Sequence, residues 1–360
     1  MDSTTFHTVY AAPGPFATVL VDVSHDDTGE RAHDLRVRAA CEELGAQGAD
    51  PAVVRTVSEH LGELVHRPSP VSRLVIANAQ GVQHDEIVGA QVDRTVATWA
   101  PLPDLAHWVE RVDGRVTFVL ALVDHEGGDV AVMHSDVPEP IDERSIEGET
   151  QYVQKVPAGG WSAMRYQNVT ENVWAQNARM VAEEITRRVR EGHRLVLLAG
   201  DAHSKALVRE ALGDQPMDLV ELDSGSRGED GGGEAMQQAV REALMDEVVA
   251  RRLDLVNELR GRMGRGEAVA TGVRDVADAF VQGQVETLLV DPAALADLSL
   301  DPAAHPGLPL GPSPAERPVR ADLALMAAAS HTDADVSVLP HGVMGGAPVT
   351  ALLRWHQQAG

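Results

Sequence analysis

The sequence predicts an α/β protein in three sections, on three observations. Short apolar runs that read as strands recur along the whole length: Ala17-Thr-Val-Leu-Val-Asp-Val23, Val116-Thr-Phe-Val-Leu-Ala-Leu-Val123, Leu195 to Ala199 and Val285 to Val290. Between them lie stretches whose apolar residues recur at steps of three and four, the period of a helix packed along one side. The third observation is length, since 360 residues exceed one ordinary domain. The sections run over 1–115, 116–227 and 228–360.

In the first section a helical pattern follows the opening strand, from Thr28 through Leu35, Val37 and Leu44. A second helix is expected from Pro51 to Leu64, with Val53, Val54, Val57 and Leu61 on one face. Val71 to Ala77 reads as a strand, with a turn at Gly81. The second section opens on a hairpin, Val116–Val123 answered by Asp129–Met133 across Gly127-Gly128. The acidic stretch His134 to Thr150 is expected to be irregular. Gly159-Gly160 then precedes a long helix whose capping-box spacing is Asn168 and Glu171, with Trp174, Ala178, Val181, Ile185 and Val189 recurring and Gly192 closing it. A strand from Leu195 to Ala199, a helix from Ser204 to Leu212 and a strand from Leu219 to Leu222 follow. Residues 224–233 form a glycine-rich junction.

The third section begins with a helix from Glu234 to Met263, buried along Leu244, Val248, Leu255 and Leu259. A shorter helix, capped by Thr271, turns Val273, Val276, Ala277 and Phe280 inward and closes at Gly283 before the strand Val285–Val290. Seven of the twenty prolines fall between Asp291 and Arg320, which predicts an exposed loop. A helix, a strand at Val336 to Leu339 and a final helix complete the expectation.

Composition narrows the function classes. The formal charge of −25 argues against general DNA binding, which relies on neutralising phosphates. Local basic surfaces on an acidic body remain compatible with RNA. One cysteine, Cys41, excludes an internal disulfide and a thiolate metal cluster. The fifteen histidines show no metal-ligand spacing, so neither metal nor cofactor is expected. No leader and no apolar run of membrane-spanning length is visible, and a cytoplasmic protein is expected. Gly200-Asp-Ala-His-Ser-Lys205 opens a helix after a strand, yet it lacks the Gly-Lys-Ser/Thr of a phosphate loop and reads as a structural connection. Adjacency of His203 and Ser204 establishes no Ser-His-acid arrangement.

The informative stretch is Lys155-Val-Pro-Ala-Gly-Gly-Trp-Ser-Ala-Met-Arg-Tyr-Gln-Asn-Val-Thr-Glu171, continuing to Val181-Ala-Glu-Glu-Ile185. It resembles the central domain of the archaeo-eukaryotic release factor and Pelota family. There a Gly-Gly-Gln loop is followed by serine, arginine, an aromatic residue and a helix carrying Val-Ala-Glu. Gly159 and Gly160 match the glycines, Ser162 the serine, Arg165 the arginine, Tyr166 the aromatic and Val181-Ala182-Glu183 the helix. Gly283-Gln-Val-Glu-Thr-Leu-Leu-Val290 resembles the start of the family's third, L7Ae-like domain. The resemblance covers roughly 116–360.

Trp161 stands where the release factors hold the glutamine of peptide release. Indole offers one N–H donor and no acceptor, and its bulk fills the space a water needs. No catalytic residue is therefore expected. A tryptophan beside two glycines can instead stack on a base. Charge supports RNA contact here: Lys155 to Glu210 holds nine basic and six acidic residues within the acidic chain. Arg179, Arg187 and Arg190 share one helix face, opposite Trp174. The structural alternative is that Trp161 packs between domains and that Glu183 and Arg187 simply pair at four-residue spacing. Arg251, Arg252, Arg260, Arg262 and Arg265 form a secondary RNA-contact candidate.

The resemblance is nearest to the family's bacterial branch that includes the ribosome hibernation factor Balon. It implies a stress-response translation regulator that occupies the A site of the 70S ribosome. Such a factor would contact the rRNA of the A site and peptidyl-transferase centre, with elongation factor Tu as the implied GTPase partner. DNA and membrane are not implied. Two alternatives remain: a peptidyl-tRNA hydrolase that uses Gln167 or the Ser162 hydroxyl in place of the missing glutamine, and a non-ribosomal interaction protein that keeps only the fold.

Overall fold

The computed structural model describes residues 6–24, 29–63, 65, 70–89, 92, 94–137, 139–148, 161–223, 233–312 and 318–355; the side chains of 29–31 and 161–170 lie outside that description. The described chain is mixed α/β. It opens with α1 (His7–Tyr10), β1 (Phe16–Asp22), α2 (Gly29–Ala46), α3 (Pro51–Leu61), β2 (Ser72–Asn78), β3 (Gly81–Val88), β4 (Val96–Ala100) and α4 (Ala106–Val112). The strands form an antiparallel sheet in the order β3-β2-β1-β4. β1 is buried along its whole length because both faces are covered. Ala17, Val19 and Val21 meet α2 and α3, while Phe16 and Leu20 enter a second core, the two-residue alternation of a strand. Asp50 caps α3 by accepting from Ala52 N at 2.8 Å, and Pro51 supplies the first helical position.

Next come β5 (Thr117–Asp124), β6 (Gly127–His134), β7 (Asp142–Glu147), α5 (Trp161–Arg190), β8 (Leu195–Gly200), α6 (Ala202–Leu212), β9 (Asp218–Glu221) and α7 (Gly233–Arg265). The sheet order is β7-β6-β5-β8-β9, antiparallel through β7, β6 and β5 and parallel from β5 through β8 to β9. One face packs Val119, Ala121, Val130 and Val196 against Val181, Ile185 and Val208 of α5 and α6. The other packs Phe118, Leu195 and Leu197 against Leu244 and Val248 of α7. Helices on both faces explain why β8 reads as an unbroken apolar run.

The chain ends with β10 (Val269–Thr271), α8 (Val273–Val281), β11 (Val285–Val290), α9 (Pro292–Leu295), β12 (Ser299–Leu300), β13 (Val319–Arg320), α10 (Ala321–His331), β14 (Asp335–Val338) and β15 (Val349–Leu353). Its sheet is ordered β10-β15-β11-β14. α10 is buried from Ala321 to Ser330, the sign of a helix wrapped on every side.

Two compact units result: 1–114 together with 252–360, and 115–251. In the first, Phe6, Tyr10, Leu102, Trp108, Phe280, Leu288 and Leu325 share one core. Buried carboxylates join its two stretches of chain. Asp104 accepts from Arg320 at 2.7 Å. Asp113 accepts from Ser337 Oγ at 3.0 Å and Val338 N at 3.1 Å, with Arg252 at 3.6 Å.

Several sequence expectations are corrected. α5 begins at Trp161, so Asn168 and Glu171 lie inside the helix rather than at its cap; no proline or glycine interrupts 161–190. The acidic stretch after His134 contains β7, with Ile146 buried, Asp142 paired with Arg188 and Arg144 paired with Glu184. Gly272, not Thr271, precedes α8, and Thr271 closes β10. The proline-rich stretch contributes Leu295, Leu300, Leu308 and Leu310 to the core. Pro292 and Pro302 open short turns capped by Asp291 and Asp301. The expected final helix is the strand β15, held between β10 and β11. No helix among the described residues is long and apolar enough to cross a membrane.

Candidate nucleic-acid interface

The site expected from sequence centres on the start of α5. Gly159 and Gly160 lie outside the described residues. Trp161 begins the helix, and the backbone of Ser162, Arg165 and Tyr166 continues it, but the side chains of all four lie outside the description. What the structure places is the rest of that helix. Val181, Ile185 and Val189 face the sheet, and Arg179, Glu183, Arg187 and Arg190 face solvent. At 100° per residue these exposed positions fall within one face.

The three arginines of that face differ in their partners. Arg179 and Arg190 have none among the described residues. They lie eleven positions apart, about 16 Å along the axis. Arg187 is engaged: it pairs with Glu184 and, at 2.7 Å, with Glu191, rather than with the exposed Glu183. Glu184 is 4% exposed and anchors a cluster that the helical periodicity did not reveal. Arg188 Nε donates to it at 2.9 Å and Arg144 of β7 at 3.0 Å, while Arg188 also pairs with Asp142. Burial pushes the Glu184 carboxyl up, but the Arg187 hydrogen bond and the charges of Arg187, Arg188 and Arg144 outweigh it and hold the group below the usual glutamate value. Three arginines against Asp142, Glu184 and Glu191 make the cluster neutral, so it ties α5 to β7 without adding charge to the outer face.

A second cluster lies at the carboxyl ends of β5 and β8. His125 stacks on Trp174 of α5 with centroids 4.2 Å apart and planes 15° from parallel. His203 meets the same indole edge-on at 5.4 Å. Asn177 Nδ2 donates to His125 O at 2.9 Å, fixing the turn beneath the helix. Asp201 caps α6, accepting from His203 N at 3.0 Å and Ser204 N at 3.1 Å. Burial raises its carboxyl, while the Ser204 hydroxyl, these amides and His125 bring it below the usual aspartate value.

This cluster is not a nucleophilic triad. Ser204 Oγ lies 3.1 Å from His125 Nδ1, and the nearer Asp201 oxygen is 3.9 Å from that same nitrogen. The ring therefore cannot relay a proton between them. Ser204 is also only 3% exposed. Lys205 is buried and donates to Leu222 O at 2.6 Å, so the Gly200–Lys205 turn is a structural connection, as its sequence suggests. His125 was invisible to sequence reasoning because its neighbours arrive from α5 and α6.

No group of His, Cys, Asp and Glu among the described residues is arranged to hold a metal. Of the secondary arginines, Arg251 pairs with Glu247, Arg252 with Asp113, Arg262 with Glu258 and Glu286, and Arg265 with Glu267. Arg260 alone of the five has no partner among the described residues.

Comparison with known proteins adds an independent line. Residues 117–265 match the bacterial archaeo-eukaryotic release factor family 2. Mycobacterium tuberculosis Rv2629 is 26% identical over 286 residues, covering 78% of this chain and 75% of the relative. The Pelota homologue of Natronomonas pharaonis is 32% identical over 100 residues, covering 26% of this chain and 28% of that protein. Among solved structures, Archaeoglobus fulgidus Pelota is 17% identical over 82% of each chain at a TM-score of 0.33. S. cerevisiae Dom34 is 10% identical over 98% of this chain and 91% of its own, at a TM-score of 0.42. Through residues 117–265, the chain is thus similar to the archaeo-eukaryotic release factor/Pelota-like family.

Proposed function

We propose that this chain is a cytoplasmic ribosome-binding hibernation factor, of the kind typified by Balon. It occupies the A site of idle 70S ribosomes, contacts rRNA there and at the peptidyl-transferase centre, and catalyses no peptide release. The observation that carries this reading is Trp161 directly after Gly159-Gly160, inside a segment that matches a release factor family. An indole cannot take over a glutamine's paired donor and acceptor. It does retain a flat apolar face suited to stacking on a base, worth about 1–3 kcal/mol in other systems.

α5 supplies the accompanying charge. Arg179 and Arg190, without a partner among the described residues, stand on the face that points away from the sheet, where two phosphates along an RNA strand can meet them. The net charge of −25 limits binding elsewhere, so contact depends on this local surface. Elongation factor Tu is the GTPase partner in this reading.

Co-sedimentation of the full chain with 70S particles tests it. The parent chain is expected to travel with the ribosome. Trp161→Ala with Arg165→Ala should weaken that binding. Arg179→Ala with Arg190→Ala should weaken it too, with a shallower dependence on salt as two phosphate contacts are lost. Peptidyl-tRNA should remain intact throughout. A chain that never travels with ribosomes, or one that turns over peptidyl-tRNA and loses that activity in Gln167→Ala, overturns the reading.

A further inference from the structure

The N-terminal segment before β1 has a role that the ribosome reading does not use. Its helix α1 is four residues long, a single turn that cannot persist alone in water. Its order comes from what it buries: Phe6, Val9 and Tyr10 are each at most 1% exposed. Those side chains reach two distant parts of the same unit. Phe6 lies against His84 of β3 with ring centroids 4.8 Å apart. His7 and Tyr10 lie against His331, the last residue of α10, at 5.6 and 6.3 Å. Asn78 Nδ2 holds Pro13 O at 2.9 Å. Gly311 passes so close that a Cβ there would stand 2.4 Å from Tyr10 O and 2.7 Å from His331 Nε2. The segment thus straps the sheet of the first section to a helix more than 300 residues later.

The seat of this strap has two weak points. The Tyr10 hydroxyl and His331 Nε2 are sealed from solvent with no partner in hydrogen-bond geometry. Among the described residues the charged groups around the strap are His84, which is paired with Glu86 on β3, and Asp104, Arg320 and Asp322 where the first section meets the start of α10. Asp104 and Asp322 act on the Tyr10 hydroxyl, not on His331. Among the described residues His331 therefore faces a second imidazole, His7, and no carboxylate acts on it.

We propose that residues 6–13 are an acid-released strap: proton uptake by the half-buried imidazole of His331, packed against His7 and Tyr10, detaches it from α10 while the sheets of the unit stay folded. A charge on His331, half-buried and 5.6 Å from the His7 ring, is disfavoured where the neutral ring packs edge-on. Burial, and then the His7 charge, push the His331 imidazole below its ordinary value, with only the Tyr10 backbone opposing. The bound strap accordingly holds fewer protons than the released one. Its seating is complete above the ordinary histidine range and is lost as the pH falls through the depressed value.

Hydrogen–deuterium exchange of the full chain between pH 7.5 and 5.5, corrected for intrinsic rates, tests this. Opening of residues 6–13 should rise by up to about tenfold per pH unit for each proton bound on release. Protection in α10 and β11 should hold over the same range. His331→Gln should flatten the profile. His7→Gln, at an exposed position and safe for folding, should move release to lower pH. A flat profile in the parent overturns the strap, as does an unchanged profile in His7→Gln. Loss of α10 and β11 protection in step with the strap also overturns it, since that marks global unfolding.

Discussion

Glu184 shows how one side chain can be fixed by its neighbours rather than by its place in a periodic pattern. Three guanidinium groups converge on a carboxylate that is almost sealed from water. Glu184→Gln keeps the shape and removes the charge, leaving those cations with less compensation. The expected cost at pH 7 is about 1–3 kcal/mol in urea unfolding, below the value for a dry pair because Arg144 and Arg187 reach solvent. The native carboxyl titrates below its unfolded value, so its contribution is present above the ordinary glutamate range and fades as the pH falls through the depressed value. Unfolding free energies of parent and variant should therefore converge on acidification from about pH 4.3 downward. A constant gap down to pH 2.5 would assign the cost to packing instead.

At the scale of elements, the meander β5-β6-β7 depends on glycines where strands nearly touch. Gly127 has φ +149°, and a Cβ there would sit 2.0 Å from Ile146 O, a backbone atom of β7. Gly127→Ala is expected to cost on the order of 3 kcal/mol and to expose β7 first, readable as loss of exchange protection over residues 142–147. Gly81 also has a positive φ but open space around it, and tolerates alanine better. The sequence marked Gly127-Gly128 as a turn without revealing this crowding, which is set by a strand some twenty residues on.

The same contrast separates what was legible from what was not. β5, β8 and β11 are short apolar runs covered on both sides, and α5 repeats its apolar residues for many turns; patterns of that kind are local. β7 is nearly all polar, and its identity as a strand rests on pairing with β6 and on ion pairs with α5, Asp142 with Arg188 and Arg144 with Glu184. β15 follows a glycine-rich turn and owes its state to two neighbours in the sheet. Among the site residues, Arg179 and Arg190 could be placed on an outer face from spacing alone. The acids that occupy Arg187, and the stacking of His125 on Trp174, required chain segments that sequence order keeps apart.

At the largest scale, one compact unit is organised around the core shared by residues 1–114 and 252–360. The first section cannot satisfy its own apolar surface, because Leu102, Leu105, Trp108 and Val109 pack in a core completed by α8, α10 and β11. A fragment ending at Gly114 is expected to expose that surface and bind a hydrophobic dye, and adding residues 252–360 in trans should suppress the signal. Asp113→Ala in the full chain removes the acceptor of Ser337 Oγ and Val338 N and leaves a backbone donor poorly paired. A loss of about 1–3 kcal/mol is expected. The two stretches should still melt in a single transition for that unit; two separate transitions would show them to be independent.

Because that core is assembled from the two ends of the chain, translation itself imposes a delay on it. The first 114 residues leave the exit tunnel long before α10 and β15 exist. At roughly 5–20 residues per second, the remaining stretch takes on the order of ten to fifty seconds to appear. Throughout that interval Trp108 and its neighbours face solvent or a chaperone. The middle unit, contiguous in sequence, can meanwhile finish folding, so it matures before the body that precedes it.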